Sequence, residues 1–207
     1  MAGDRAPLLR VSVASRALQG EAESGDFYVA VKTDTGMVVA VIDGLGHGVE
    51  AAAAARVAVR KVETSRDEPL PTLMRHCHEA LVGTRGAVMS IASFDAASRN
   101  MTWVGVGNVA GVLFHVEDDG RITRSALIAP GGIVGRELPA LRAQTLPVGP
   151  GDTIILATDG ISTGFVDQPP DAGPQQMADR ILTAFGKGTD DALVLVARYE
   201  QAAGAVA

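Results

Sequence analysis

Short apolar runs, separated by turns rich in glycine and aspartate, dominate this chain, and two of them run straight into the same dipeptide. Met37-Val38-Val39-Ala40-Val41-Ile42 ends at Asp43-Gly44, and Thr153-Ile154-Ile155-Leu156-Ala157-Thr158 ends at Asp159-Gly160. Apolar runs of this length, bounded by turn residues, read as buried strands. Further strands are predicted near 8–14, 27–31, 87–94, 101–106, 109–116, 121–128 and 192–199, those from 87 to 128 forming a meander through turns such as Asp118-Asp119-Gly120. The alanine-rich segment 49–63 predicts a helix by propensity, with Glu50 well placed in its first turn and alanines that allow close approach to a sheet. Pro69 and Pro71 introduce a second helix near 73–82, and a third is expected near 176–185. Segment 129–139, with Pro130-Gly131-Gly132, reads as an ordered loop, and 167–176, with its three prolines, as a flexible surface connection. Strands are grouped rather than alternating with helices, so an α+β sandwich of mainly antiparallel sheet covered by helices is expected.

The acids sit at strand ends, which changes the picture from architecture to chemistry. Asp26 opens the run 27–31, Asp43 closes its partner, and Asp34-Thr35-Gly36 between them reads as a hairpin turn. The start of one antiparallel strand lies beside the end of the next, so Asp26 and Asp43 are expected to meet at the open end. If the strands flanked by Asp159 and by Asp190-Asp191 are antiparallel neighbours, the same logic gathers a second pair. Four or five carboxylates on one edge repel one another unless cations lie between them. Oxygen ligands of this kind suit Mg²⁺ or Mn²⁺ rather than zinc, and the glycine after Asp43 lets the Gly44 carbonyl turn toward the same ion. Two such ions about 3.5–4 Å apart can share a water, lower its pKa and hold a phosphoryl group for in-line attack. A single Asp-Gly is an ordinary turn dipeptide; the pattern over four strands is what points to a metal site.

Composition narrows the class. A chain of 207 residues is expected to form one domain that buries roughly 70% of its unfolded surface. Apolar residues make up 47% and aromatics 4%, so Val, Ala, Leu and Ile must build the core. The net charge of −6 argues against a nucleic-acid partner. Arg56, Arg60 and Lys61 share a helix face and read as a solvated one. Cys77 is the only cysteine, which excludes a disulfide framework and suggests an intracellular setting. The run His76-Cys77-His78 is no metal site, because adjacent helical residues point in different directions. Without an apolar leader in 1–20 or a run of membrane length, a soluble, cytoplasmic protein is expected. The glycine-rich turn 44–48 lacks the lysine of a P-loop and the spacing of a dinucleotide fingerprint.

With these motifs in hand, the sequence resembles the metal-dependent protein phosphatases of the protein phosphatase 2C superfamily, and more narrowly the bacterial SpoIIE-type serine phosphatases. The motifs that carry the likeness are Ser24-Gly25-Asp26, Asp43-Gly44-Leu45-Gly46-His47-Gly48, Gly107-Asn108, Gly131-Gly132-Ile133-Val134-Gly135, Thr158-Asp159-Gly160 and Asp190-Asp191. The resemblance implies one phosphatase domain over 1–207, with a core of about 11–199, folded as a four-layer α-β-β-α sandwich. It implies two divalent ions, Mn²⁺ or Mg²⁺, held by Asp26, Asp43, Gly44, Asp159 and Asp190, with Asp43 bridging them. Asp43 and Asp159 are then the catalytic pair, and His47 and Asp191 are auxiliary. A single domain of this type is similar to the stressosome phosphatases. The implied reaction is attack of a metal-bridging hydroxide on phosphoserine or phosphothreonine. The implied substrates are phosphorylated STAS-domain proteins of the RsbR/RsbS kind, or an anti-anti-sigma factor. The chain departs from the family in three places. Ala192-Leu193 follows the acid pair where a threonine often stands, Leu45 occupies the position of the eukaryotic general-acid histidine, and no counterpart of the phosphate-gripping arginine stands upstream of Asp26, Arg16 being only a distant candidate. These losses motivate an alternative, a phosphatase-shaped module that binds phosphorylated STAS partners without turning them over.

Overall fold

The computed structural model describes residues 8–200. Ten strands and three helices run in the order β1 (Leu9–Arg16), β2 (Asp26–Lys32), β3 (Gly36–Gly44), α1 (Gly48–Thr64), α2 (Leu70–Leu81), β4 (Ala87–Asp95), β5 (Asn100–Val106), β6 (Ala110–Val116), β7 (Ile122–Leu127), β8 (Gln144–Pro147), β9 (Thr153–Ala157), α3 (Pro174–Phe185) and β10 (Ala192–Tyr199). They form two five-stranded sheets, ordered β1-β10-β9-β6-β7 and β2-β3-β4-β5-β8, in which every neighbouring pair is antiparallel.

The long apolar runs are explained by strands buried on both faces. In β3, Val38, Ala40 and Ile42 pack toward α1 and α2, whereas Val39 and Val41 pack between the sheets. In β10, Leu193, Leu195 and Ala197 face the same inter-sheet layer, and Ala192, Val194 and Val196 face α3. Successive side chains point to opposite faces of a strand, so each run feeds two cores at once. Three apolar layers result, one between the sheets and one beneath each set of helices, giving the four-layer α-β-β-α sandwich.

Local chemistry fixes the ends that matter. The β2–β3 hairpin closes through Thr33, whose amide donates to the Gly36 carbonyl (3.0 Å) and whose hydroxyl accepts from the Gly36 amide (2.9 Å). That turn sets a register in which Asp26 lies directly opposite Asp43. Ala51, Ala52, Ala54, Ala55 and Ala58 are fully buried in α1, so the helix seats closely on its sheet.

Two elements lie outside the sequence-based expectations. Strand β8 has only four residues, alternates between half-buried and exposed, ends on a proline and pairs along one edge with β5. Edge strands of this kind carry little apolar signal. A 3₁₀ turn at Thr163–Asp167 follows the second Asp-Gly. Helices α2 and α3 begin earlier than expected, at Leu70 and Pro174, because Pro71 and Pro174 fall inside the first turn rather than ahead of it. Among the described residues no helix is long and apolar enough to cross a membrane.

Candidate active site

An open cleft of about 460 Å³ lies where β3 and β9 end side by side in opposite sheets. Its walls include Asp43, Asp159 and Asp190, together with Leu45, Gly46, His47, Asn108 and the Gly131-Gly132-Ile133 loop. Asp43 sits at the tip of β3 and Asp159 just beyond β9. Asp190 precedes β10, which is the antiparallel neighbour of β9. Asp26 is buried behind them, 7% exposed, at the start of β2.

Each glycine of the two Asp-Gly pairs is required by close approach. A Cβ on Gly44 would collide with the Ala51 carbonyl of α1, and one on Gly160 with the carbonyl of Asp191. Gly44 itself does not adopt a positive φ, so it permits contact rather than a sharp turn. The turning is done by Gly46 (φ 87°) and Gly48 (φ 74°), which bring the chain into α1.

Hydrogen bonds sort the acids into roles. The Thr158 hydroxyl donates to Asp26 Oδ2 (2.7 Å) and accepts from the Leu193 amide (2.9 Å), tying β2 of one sheet to the β9–β10 edge of the other. Asn108 Nδ2 donates to Asp159 Oδ2 (2.8 Å). Asp191 is buried, and its two oxygens accept from the amides of Leu18 and Gly25 (2.7 Å each), so it anchors the loop that delivers Asp26 and does not line the cleft. Asp190 is the member of that pair that lines the cleft. No donor among the described residues reaches the Asp43 carboxylate. Among the same residues, no three acids, histidines or cysteines converge into a preformed cage; the carboxylates ring the cleft instead.

Electrostatics follow from that placement. Burial pushes the Asp26 carboxyl up to about 7, with Asp191, Asp159 and Asp190 adding to the rise and the Thr158 hydrogen bond opposing it. Burial also pushes Asp43 up to about 8, with Asp26 its strongest charged neighbour, followed by Asp159, Asp190 and Asp191. Asp26 and Asp43 thus face one another across the register, and Asp43 resists ionisation beside Asp26.

The remaining candidates divide between the cleft wall and positions away from it. His47 caps the start of α1 by position only, making no side-chain cap bond; its Nδ1 pairs with Glu21 Oε1 at 2.5 Å on the rim of the cleft. Leu45 lines the cleft and packs into the inter-sheet layer. Arg16 ends β1 with its guanidinium against Gly186, away from the cleft walls. Arg56 pairs with Glu23 and lies 5.4 Å from the Phe27 ring centroid, a packed position rather than a merely solvated one. Cys77 is fully buried, with its thiol pushed up to about 12, while His76 pairs with Glu68 and His78 accepts from the Gly135 amide; the three point apart. Thr158 and Asn108 stand within the sequence motifs, but their roles emerge only from these hydrogen bonds.

The profile of the SpoIIE family, Stage II sporulation protein E, matches residues 33–200. The chain belongs to the SpoIIE family. Its fold is that of the protein phosphatase 2C type: a solved structure of RsbX in complex with magnesium superposes with a TM-score of 0.82 at 20% identity, covering 97% of this chain and 98% of that one. Among curated proteins, the phosphoserine phosphatase RsbX of Bacillus subtilis (strain 168) is 25% identical over 144 residues, 70% of each chain. A second solved chain, from the bacterial stressosome described as a modular system adapted to control secondary messenger signaling, is 30% identical. It superposes with a TM-score of 0.82 and covers 92% of this SpoIIE-family chain and 99% of its own.

Proposed function

We propose that this SpoIIE-family chain is a divalent-metal-dependent phosphatase that removes phosphate from serine or threonine of STAS-domain proteins in a stressosome-type partner-switching pathway. The observation that carries the reading is the meeting of Asp26 and Asp43 across one hairpin register, opposite Asp159 and Asp190 from the other sheet. Buried carboxylates that face one another without a cation are costly, and an all-oxygen donor set of this charge fits Mg²⁺ or Mn²⁺. Asp43, Asp26 and the Gly44 carbonyl would hold one ion, Asp159 and Asp190 a second, with Asp43 shared. When bound, the ions supply water activation and neutralise charge on the phosphoryl oxygens. The protein's own part is placement. Thr158 fixes one oxygen of Asp26, Asn108 orients Asp159, and Asp191 pins the loop before β2. With Leu45 in place of a histidine, the cleft offers His47 as its one imidazole, held by Glu21 on the rim. Relation to the RsbX phosphoserine phosphatase and to the stressosome chain supports the assignment of pathway and substrate class.

The test is phosphate release from a phosphorylated STAS-domain protein, with Mn²⁺ or Mg²⁺ present or chelated, comparing wild type with Asp43→Asn. Release that requires both the metal and Asp43 is expected. Tight binding without release at any metal concentration would overturn the enzymatic reading in favour of a docking module.

A further inference from the structure

Beside the cleft runs a second groove of about 460 Å³, whose lining includes Glu50, Ala53, Ala54, Val57, Arg85 and Arg136. Four of these residues form a single stripe of α1, since positions 50, 53, 54 and 57 share one helix face. The same helix begins at the cleft, where Gly46 and His47 form part of the wall. Groove and cleft are therefore two stretches of one path along α1. Arg85 stands at their junction: its Nη1 lies 2.6 Å from where a Cβ on Gly46 would be, and its side chain pairs with Glu50. Arg136 approaches from the other side, its Cγ 3.6 Å from the corresponding point on Gly86, where Ile133 of the cleft wall also packs. Arg136 is exposed and forms no ion pair among the described residues.

Two guanidinium groups and one carboxylate leave the groove net positive on a chain whose overall charge is −6. The Arg85–Glu50 pair is open to water, with side chains 41% and 70% exposed, so it contributes little and an incoming carboxylate can replace Glu50 at small cost. The floor is alanine and valine, and the residues just ahead of Glu50 and Gly83, Val49 and Val82, are 64% and 65% exposed.

We propose that this groove is the docking site for an acidic segment of the phosphoprotein substrate flanking the phosphorylated residue, with Arg85 and Arg136 receiving its carboxylates and the Ala53, Ala54 and Val57 stripe of α1 its apolar side chains. The inference rests on the phosphatase reading for what occupies the cleft, but the groove's own binding is measurable without turnover. Planar guanidinium groups bind carboxylates in a two-pronged fashion, and charge placed on a rim steers encounter and discriminates among partners.

The experiment uses fluorescein-labelled phosphoserine peptides carrying a glutamate run on either side of the phosphoserine, with glutamine counterparts. Wild type, Arg85→Glu/Arg136→Glu and Glu50→Gln are compared by anisotropy and by phosphate release, and thermal melts confirm folding. For one of the two peptide polarities, wild type is expected to bind the glutamate form about tenfold more tightly than the glutamine form at low salt. The preference should vanish in the double arginine variant and strengthen in Glu50→Gln. Release from the glutamate peptide should fall through KM rather than kcat, and p-nitrophenyl phosphate, too small to span the groove, should be affected far less. Equal binding of the glutamate and glutamine forms by wild type, or a preference that survives in a folded double arginine variant, would overturn the proposal. Intact binding preference with no release from any substrate would instead sink the phosphatase reading and leave the groove standing.

Discussion

Asp43 has no protein donor of its own among the described residues and lies opposite the buried Asp26, so little in the protein compensates its charge. Asp43→Asn should cut phosphate release on the order of a thousandfold, since several kcal/mol of transition-state stabilisation are at stake and each 1.36 kcal/mol is tenfold. A rate near wild type in that variant would remove Asp43 from the chemistry. Gly160→Ala tests a different demand at the same scale. The added methyl meets the Asp191 carbonyl, and relieving that clash must shift the strand start that carries Asp190. Urea melts should show a loss of about 1–3 kcal/mol, as for other overpacked sites, together with weaker metal binding. Asp26, Asp43, Asp159 and Asp190 are legible in the sequence as a candidate cluster because a carboxylate at the tip of an apolar run is conspicuous. Thr158 and Asn108 are not, since their neutral side chains act through hydrogen bonds that only the assembled sheets bring within reach.

Among the elements, α1 shows how composition becomes geometry. Five fully buried alanines let it sit close enough to the sheet that Gly44 must lack a side chain. Ala55→Leu should therefore cost about 1–3 kcal/mol in a thermal or denaturant melt, whereas a change at the exposed Arg60 should cost almost nothing. The long central strands and α1 were legible because burial on both faces or one leaves a strong apolar pattern. Strand β8 was not legible, because a four-residue edge strand with one half-buried face leaves almost none. The starts of α2 and α3 are legible only approximately for a related reason: proline is tolerated within a first helical turn, so it marks a boundary only to within a turn.

For the molecule as a whole, the raised carboxyls make a prediction about pH. Between the ordinary aspartate value of 3.8 and about 7 to 8, the folded, metal-free protein holds protons on Asp26 and Asp43 that the unfolded chain releases. Folding stability of the chelated protein should thus fall as pH rises from about 4 to 8 and level off above it, the sign set by the extra bound protons of the native state. Millimolar Mg²⁺ should flatten or reverse that slope in melts across the same range; a chelated protein that gains stability over this interval would contradict the assignment. The layered architecture was readable from grouped strands, but which strand joins which sheet was not, and the site depends on that partition. Asp26 and Asp43 ride on one sheet, Asp159 and Asp190 on the other, and the Thr158 hydroxyl stitches across the seam. The cleft therefore acts as a vernier: it reads the alignment of two slabs packed face to face across an apolar layer. Heat or denaturant that lubricates this layer should extinguish catalysis while amide protection within each sheet persists, so that the midpoint of inactivation falls below that of unfolding.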